Sequence, residues 1–218
     1  MGEIRVGLID SNHLARSGRA MIIQSQPDLK IVFEESDPSK ALNRAPEYLV
    51  DVVVASLKQS GFPGFTFLKA IADALAKVGN PSAILLTTPF ASEELRAEAV
   101  LNGANDLVSL EEEGRVFLSK IRAVAKKDHS VDAELLSYID TENLTLPVFP
   151  KLRSNLEELD AGQEAIIANF LAGLSDFESA RRLDVSKLRV TQFLNNLMTT
   201  GEVRTRSQLA VILRGFSK

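Results

Sequence analysis

Five apolar runs, each followed by a stretch with helical character, constrain the first 127 residues more than any other feature of the chain. Ile4-Arg5-Val6-Gly7-Leu8-Ile9, Ile31-Val32-Phe33, Asp51-Val52-Val53-Val54-Ala55, Ala83-Ile84-Leu85-Leu86-Thr87 and Asp106-Leu107-Val108 read as strands. Between them lie an amphipathic segment with Leu14, Met21, Ile22 and Ile23, a short helix opened by Asp37-Pro38, and helices over residues 65–78 and 92–101. A last one covers about 113–126. The third run is almost continuously apolar, as a strand covered on both faces must be. Such alternation predicts a doubly wound, five-stranded parallel α/β sheet with right-handed crossovers, and it puts any site at the carboxyl ends of the strands. Those ends carry Asp10-Ser11, Ser56 and Thr87-Thr88.

The text then changes. Residues 128–158 read as a linker: the run Lys126-Lys127-Asp128-His129 leads into it, and Pro147 and Pro150 lie within it. Residues 133–139 can form a turn or two of helix, while the proline-bracketed stretch is expected to be extended. Residues 159–218 read as a small all-α domain. Ile166, Ile167, Phe170, Leu171 and Leu174 form a buttressing helix, and residues 174–197 form a helix, a tight turn and a second helix. Ser175 and Glu178 make a reciprocal capping box, after which Phe177, Ala180 and Leu183 share a face. Ser186 caps the second helix, whose Val190, Phe193, Leu194 and Leu197 repeat at i, i+3, i+4 and i+7 and should face the core. Outward lie Lys187, Arg189, Thr191, Gln192, Asn195 and Thr199, with no acid among them. Such a face can lie in a major groove; a solvated helix in any small bundle would look the same. The last helix, about 207–216, begins at Thr205-x-x-Gln208 and carries Leu209, Ile212 and Leu213 on one face. Part of that face covers its own core, and the rest is expected to pair with a second subunit.

Composition narrows the function class. With 45% hydrophobic residues in 218 the chain can bury a sizeable core, and without cysteine it has neither disulfides nor thiolate chemistry. Its first residues form a strand-like run rather than a signal peptide, and no apolar stretch approaches the roughly 20 residues that span a bilayer, so a cytoplasmic protein without membrane contact is expected. The net charge of −4 is unevenly divided. From Lys151 onward ten Lys and Arg face eight Asp and Glu, leaving that part near +2 and the rest near −6. An asymmetry this mild predicts weak non-specific affinity for nucleic acid and reliance on dimerisation or a partner.

With these motifs in hand, the chain resembles response regulators of the NarL/LuxR type along nearly its whole length. Gly173-Leu-Ser-Asp-Phe-Glu-Ser-Ala-Arg-Arg-Leu is similar to the family's GLSNKEIARRL, and Asn196-Leu-Met-Thr-Thr-Gly-Glu-Val-Arg-Thr-Arg-Ser-Gln-Leu follows NILRKLGVRNRTEL without a gap. The resemblance implies double-stranded DNA as partner, with base-reading positions on Thr191, Gln192 and Asn195 and phosphate contacts on Lys187, Arg204 and Arg206. The family often has Lys at the positions of Thr191 and Thr200, so its cationic reading is diluted here. The amino half resembles a receiver whose phosphorylation chemistry has been dismantled. The first metal-holding acid survives as Asp10 but the second is Ser11; the phosphoacceptor position is Ser56; the switch hydroxyl falls on Thr88; and Leu110 stands where the family has Lys.

The chemistry argues the same way without the family. A carboxylate attacks phosphorus only when Mg²⁺ and a cation neutralise the two anions, and here the nucleophile and most of the neutralising groups are missing. Asp51 is no substitute, since it starts its strand about 15 Å from the carboxyl end at about 3.3 Å per residue. Lys58 can pair with Asp10 as a fixed replacement for the ion, or it is a solvated loop lysine. One carboxylate does not make a Mg²⁺ site, so no metal and no cofactor are expected. The expectation is therefore a DNA-binding transcriptional regulator, homodimeric or heterodimeric with another response regulator and independent of aspartyl phosphorylation. The alternative is a protein–protein adaptor that pairs with a standard regulator. An enzyme is the least favoured class: Ser56 and His13 are the only candidate nucleophile and base, no Gly-x-Ser-x-Gly elbow surrounds Ser56, and His129 lies in the linker.

Overall fold

The structure, a computed structural model, describes residues 2–79, 82–126 and 149–216. The chain forms two compact units, Met1–Ala125 and Lys126–Lys218. In the first, strands β1 (Ile4–Ile9), β2 (Leu29–Glu35), β3 (Val52–Ser56), β4 (Ala83–Thr88) and β5 (Asp106–Ser109) alternate with helices α1 (His13–Gln24), α2 (Pro38–Arg44), α3 (Thr66–Lys77), α4 (Glu93–Leu101) and α5 (Gly114–Ala125). All pairings are parallel and the sheet order is β2-β1-β3-β4-β5, the doubly wound arrangement expected, with its switch point between β1 and β3.

The apolar run of β3 is explained by two cores. Val53 and Ala55 pack on one side of the sheet with Phe67, Ile71 and Leu75 of α3, whereas Val52 and Val54 pack on the other with Ile23 of α1 and Phe117 and Ile121 of α5. Gly7 of β1 lies under the ring of Phe33, where an added Cβ would come within 2.3 Å of the ring edge. The β1–β2 register shifts at that point. Asp37 caps α2 by accepting from the amides of Ser39 and Lys40, with Pro38 at the first helical position as its missing N–H allows.

In the second unit, α6 (Pro150–Glu157), α7 (Ala161–Leu171), α8 (Asp176–Leu183), α9 (Lys187–Thr200) and α10 (Arg206–Phe216) follow one another. Here one expectation fails: residues 150–157, read as part of the linker, form a helix, with the proline at its first position and Leu152 fully buried. Proline disfavours helix for the residue before it and not for those after, so Pro150 opens this helix. The helical turns expected at 133–139, Pro147 and His129 lie outside the described residues. Among the described residues, no helix is long and apolar enough to cross a membrane.

Candidate nucleic-acid interface and the sheet-edge pocket

The parallel register brings the pocket positions to one edge. Ile9 pairs with Ala55, Ser56 with Thr87 and Thr88 with Ser109, so Asp10, Ser56, Thr88 and Leu110 all stand at the carboxyl end of the sheet. Asp51 lies at the opposite edge, where its carboxylate accepts from the Arg5 amide. Asp10 is buried at 2% exposure, and its cationic partner is not Lys58, which is exposed in its loop, but Arg19 of α1. Helical side chains tilt toward the helix start, so Arg19 reaches back over the first turn of α1 to donate to Asp10 Oδ2. Arg16, one turn earlier, donates to the Asp10 carbonyl at 2.7 Å, and the Asn12 amide donates to Asp10 Oδ1 at 2.8 Å. Asn12 also caps α1, accepting from the Ala15 amide. The acid is thus bound by groups of its own chain. Ser11 and His13 are exposed, Thr88 is buried, and Leu110 is 45% exposed with its amide bonded to the Thr88 carbonyl.

Gln59, in the loop after β3, reaches the same edge. Its side chain is buried and donates to the Ile9 carbonyl at 3.2 Å, bridging the switch point. A second buried carboxylate, Asp106, was not anticipated: it accepts from Arg96 of α4 at 2.6 and 3.0 Å and from Lys120 of α5 at 2.9 Å. It stands at the amino end of β5, away from the pocket edge.

In the second unit both arms of the Ser175–Glu178 capping box form, and the bonds from the Ser175 amide and hydroxyl hold the Glu178 carboxyl below its usual range. Asp184 then turns the chain in the left-handed conformation at φ 53°, which a short polar side chain tolerates, and Ser186 caps α9 by accepting from the Arg189 amide. Val190, Leu194 and Leu197 are buried as their spacing requires. Phe177 is not: it is 56% exposed, with the Arg181 guanidinium 5.9 Å from its ring centre, so it does not join the face of Ala180.

The outward face of α9 carries exposed Lys187, Arg189, Gln192, Asn195 and Thr199. Two assigned residues sit elsewhere. Thr191 is half-buried and donates to Asp176 Oδ2 at 2.6 Å, so its hydroxyl is turned toward α8. Arg206 is buried at 7% exposure, where its Nη2 donates to Asp176 Oδ2 at 3.4 Å and to Asn195 Oδ1 at 3.1 Å, with its guanidinium 5.8 Å from the Phe170 ring centre. Burial lowers the Arg206 pKa and Asp176 opposes that shift; a guanidinium so enclosed is not available to a phosphate. Arg204 is exposed, and its amide is capped by the Gln208 side chain. The sequence reading also passed over Leu188, 63% exposed, which precedes Gln192 by four residues and Asn195 by seven and so shares their face. Leu209, Ile212 and Leu213, expected to leave part of their face for subunit pairing, are 0–2% exposed, so among the described residues these three present no uncovered face. Val211 and Ala210 between them are buried as well, so α10 is enclosed on more than one side.

No family model matches the chain. It is 25% identical over 214 residues to the transcriptional regulatory protein LiaR of Bacillus subtilis, covering 95% of each chain. It is also 25% identical over 214 residues to the DNA-binding transcriptional activator DevR/DosR of Mycobacterium tuberculosis, covering 95% of this chain and 93% of that one. Among solved structures, the two-component response regulator RcsB in its DNA complex aligns with a TM-score of 0.54 at 14% identity, over 98% of this chain and 99% of that one, a likeness of fold. The chain is thus similar along nearly its whole length to sequence relatives that are transcriptional regulators, and it shares its fold with a two-component response regulator.

Proposed function

We propose that the chain is a DNA-binding transcriptional regulator that reads double-stranded DNA with α9 and whose receiver unit is not operated by aspartyl phosphorylation. The observation that carries the reading is the outward face of α9, which offers Lys187, Leu188, Arg189, Gln192 and Asn195 to solvent from a helix without a single acid. Amides on such a face match base edges in the major groove, Leu188 can meet a thymine methyl, and the cations suit phosphates. The DNA-binding relative and the DNA-bound structural neighbour point the same way. On the receiver side, Ser56 offers no carboxylate to phosphorylate, and the Arg19 guanidinium already neutralises the surviving acid. Subunit pairing, with a second copy or with another response regulator, belongs to the same proposal, but through a surface other than Leu209, Ile212 and Leu213. Selection of bound sequences from a random DNA pool tests it: a recurrent site is expected, and no enrichment, alone or with a partner regulator, would leave the adaptor as the better account.

A further inference from the structure

The Asp176–Arg206–Asn195 cluster has a consequence for which base α9 reads. Asp176 is 1% exposed and Arg206 7%, so the pair is fixed inside the unit, and Arg206 Nη1 has no partner among the described residues. Arg206 reaches outward only through Nη2, which donates to Asn195 Oδ1 at 3.1 Å. The orientation of that amide follows from chemistry: a guanidinium is donor-only, so the oxygen of Asn195 and not its nitrogen must face it. With Oδ1 bound to Arg206, the exposed Asn195 side chain presents its Nδ2 hydrogens to a ligand.

We infer that Arg206 is a positioning residue that sets the polarity of Asn195, so that Asn195 selects guanine over adenine at its base pair. The inference rests on the DNA-binding reading above. Asparagine recognises adenine by accepting from N6 while donating to N7, which needs both ends of the amide on one base edge. Here Arg206 takes one lone pair of Oδ1 and fixes the orientation of the amide, so the oxygen is turned toward the buried pair and Nδ2 is the end left for the base. Guanine offers two adjacent acceptors, N7 and O6, to the two hydrogens of Nδ2, whereas adenine sets its own N6 amino group against them. This differs from the paired adenine contact that Asn195 would make with a free amide.

The test uses the full chain and a site selected from a random pool. Asn195→Ala identifies the base pair at which preference relaxes, and competition with each base at that pair reads the preference of the parent. Guanine is expected to win over adenine by about tenfold. In the double variant Asp176→Asn/Arg206→Met, which leaves no unpaired buried charge, the amide is released and the preference is expected to fall below about threefold. Preference of the parent for adenine at that pair would overturn the inference, as would an Asn195→Ala variant that relaxes no position, or a folded double variant with the guanine preference intact. A parent that selects no sequence at all refutes the DNA-binding reading first, and this one with it.

Discussion

Changing Arg19 to Met removes the charge opposite Asp10 while keeping most of the side chain's volume, and the outcome can be worked out from the burial of the pair. The two side chains are 3% and 7% exposed, so the Asp10 carboxylate would be left in a dry site with the Asn12 backbone N–H as its remaining hydrogen-bond donor among the described residues. Breaking a buried pair from one side costs about 3–5 kcal/mol, a large share of the roughly 5–15 kcal/mol that holds a domain folded. For a unit of this size 1 kcal/mol moves the melting temperature by about 3–5 °C, so scanning calorimetry of the full chain should find the first unit melting about 10–20 °C lower. Asp10→Asn/Arg19→Met removes both charges and should recover most of the loss, because the desolvation cost goes with the attraction. Millimolar Mg²⁺ should leave the parent's transition in place, since the carboxylate it would bind is already neutralised. Melting of Arg19→Met within a degree or two of the parent, or a parent stabilised by Mg²⁺, would refute the view of Arg19 as the pocket's built-in cation.

Acetyl phosphate or a beryllofluoride mimic with Mg²⁺ should leave the mass and DNA affinity of the parent unchanged, and Ser56→Asp should not restore labelling, since a second carboxylate near Asp10 lacks a lysine at 110; intact-mass spectrometry checks both. On the DNA-binding face, salt titrations should separate two roles: Lys187→Ala weakens all sequences and makes the slope of log affinity against log salt shallower by about 0.9, whereas Gln192→Ala relaxes preference at one base pair. Acid stability follows from carboxyls held below their usual range, among them Asp28 by its hydrogen bond to Arg122 and Glu178 by the Ser175 amide and hydroxyl. A depressed folded pKa stabilises above the unfolded value, so this stabilisation is complete at neutral pH and fades as pH drops through and below about 4; Arg122→Gln should move acid unfolding of the first unit to higher pH, followed by circular dichroism. Gly7→Ala should destabilise the same unit by about 1–3 kcal/mol, because the Phe33 ring occupies the place of the new methyl; a denaturant midpoint equal to the parent's would show that the ring moves aside freely.

What could be read from the sequence depended on how local its cause was. Strands and caps are written in neighbouring residues: the run at Val52–Ala55, Asp37 before Pro38, and Ser175 three before Glu178 all form as their spacing dictates. The partners of buried charges are not. Nothing in the periodicity of α1 distinguishes Arg19 from a solvated arginine, and only the return of the helix over the end of β1 brings it to Asp10, while Lys58, nearer in the chain to Ser56, stays outside. The same holds for Arg206, whose partners Asp176 and Asn195 lie 30 and 11 residues away. A family position that suits a phosphate contact therefore carried over to a residue that faces inward here. Leu188 was missed for the opposite reason, since an apolar residue next to a capped helix start reads as core unless its angular position is counted against Gln192 and Asn195.

The guanidinium that balances Asp10 also bears on time. An aspartyl phosphate is a perishable signal, because its hydrolysis sets how long a regulator remembers a stimulus. A cation that is part of the chain neither arrives nor leaves, so under the reading proposed here this receiver keeps no such clock. Occupancy of its DNA sites would then follow the number of copies in the cell relative to their dissociation constant. Control would pass to synthesis, degradation and the supply of a partner subunit, and a pulse of protein, rather than a pulse of phosphate, would be the message.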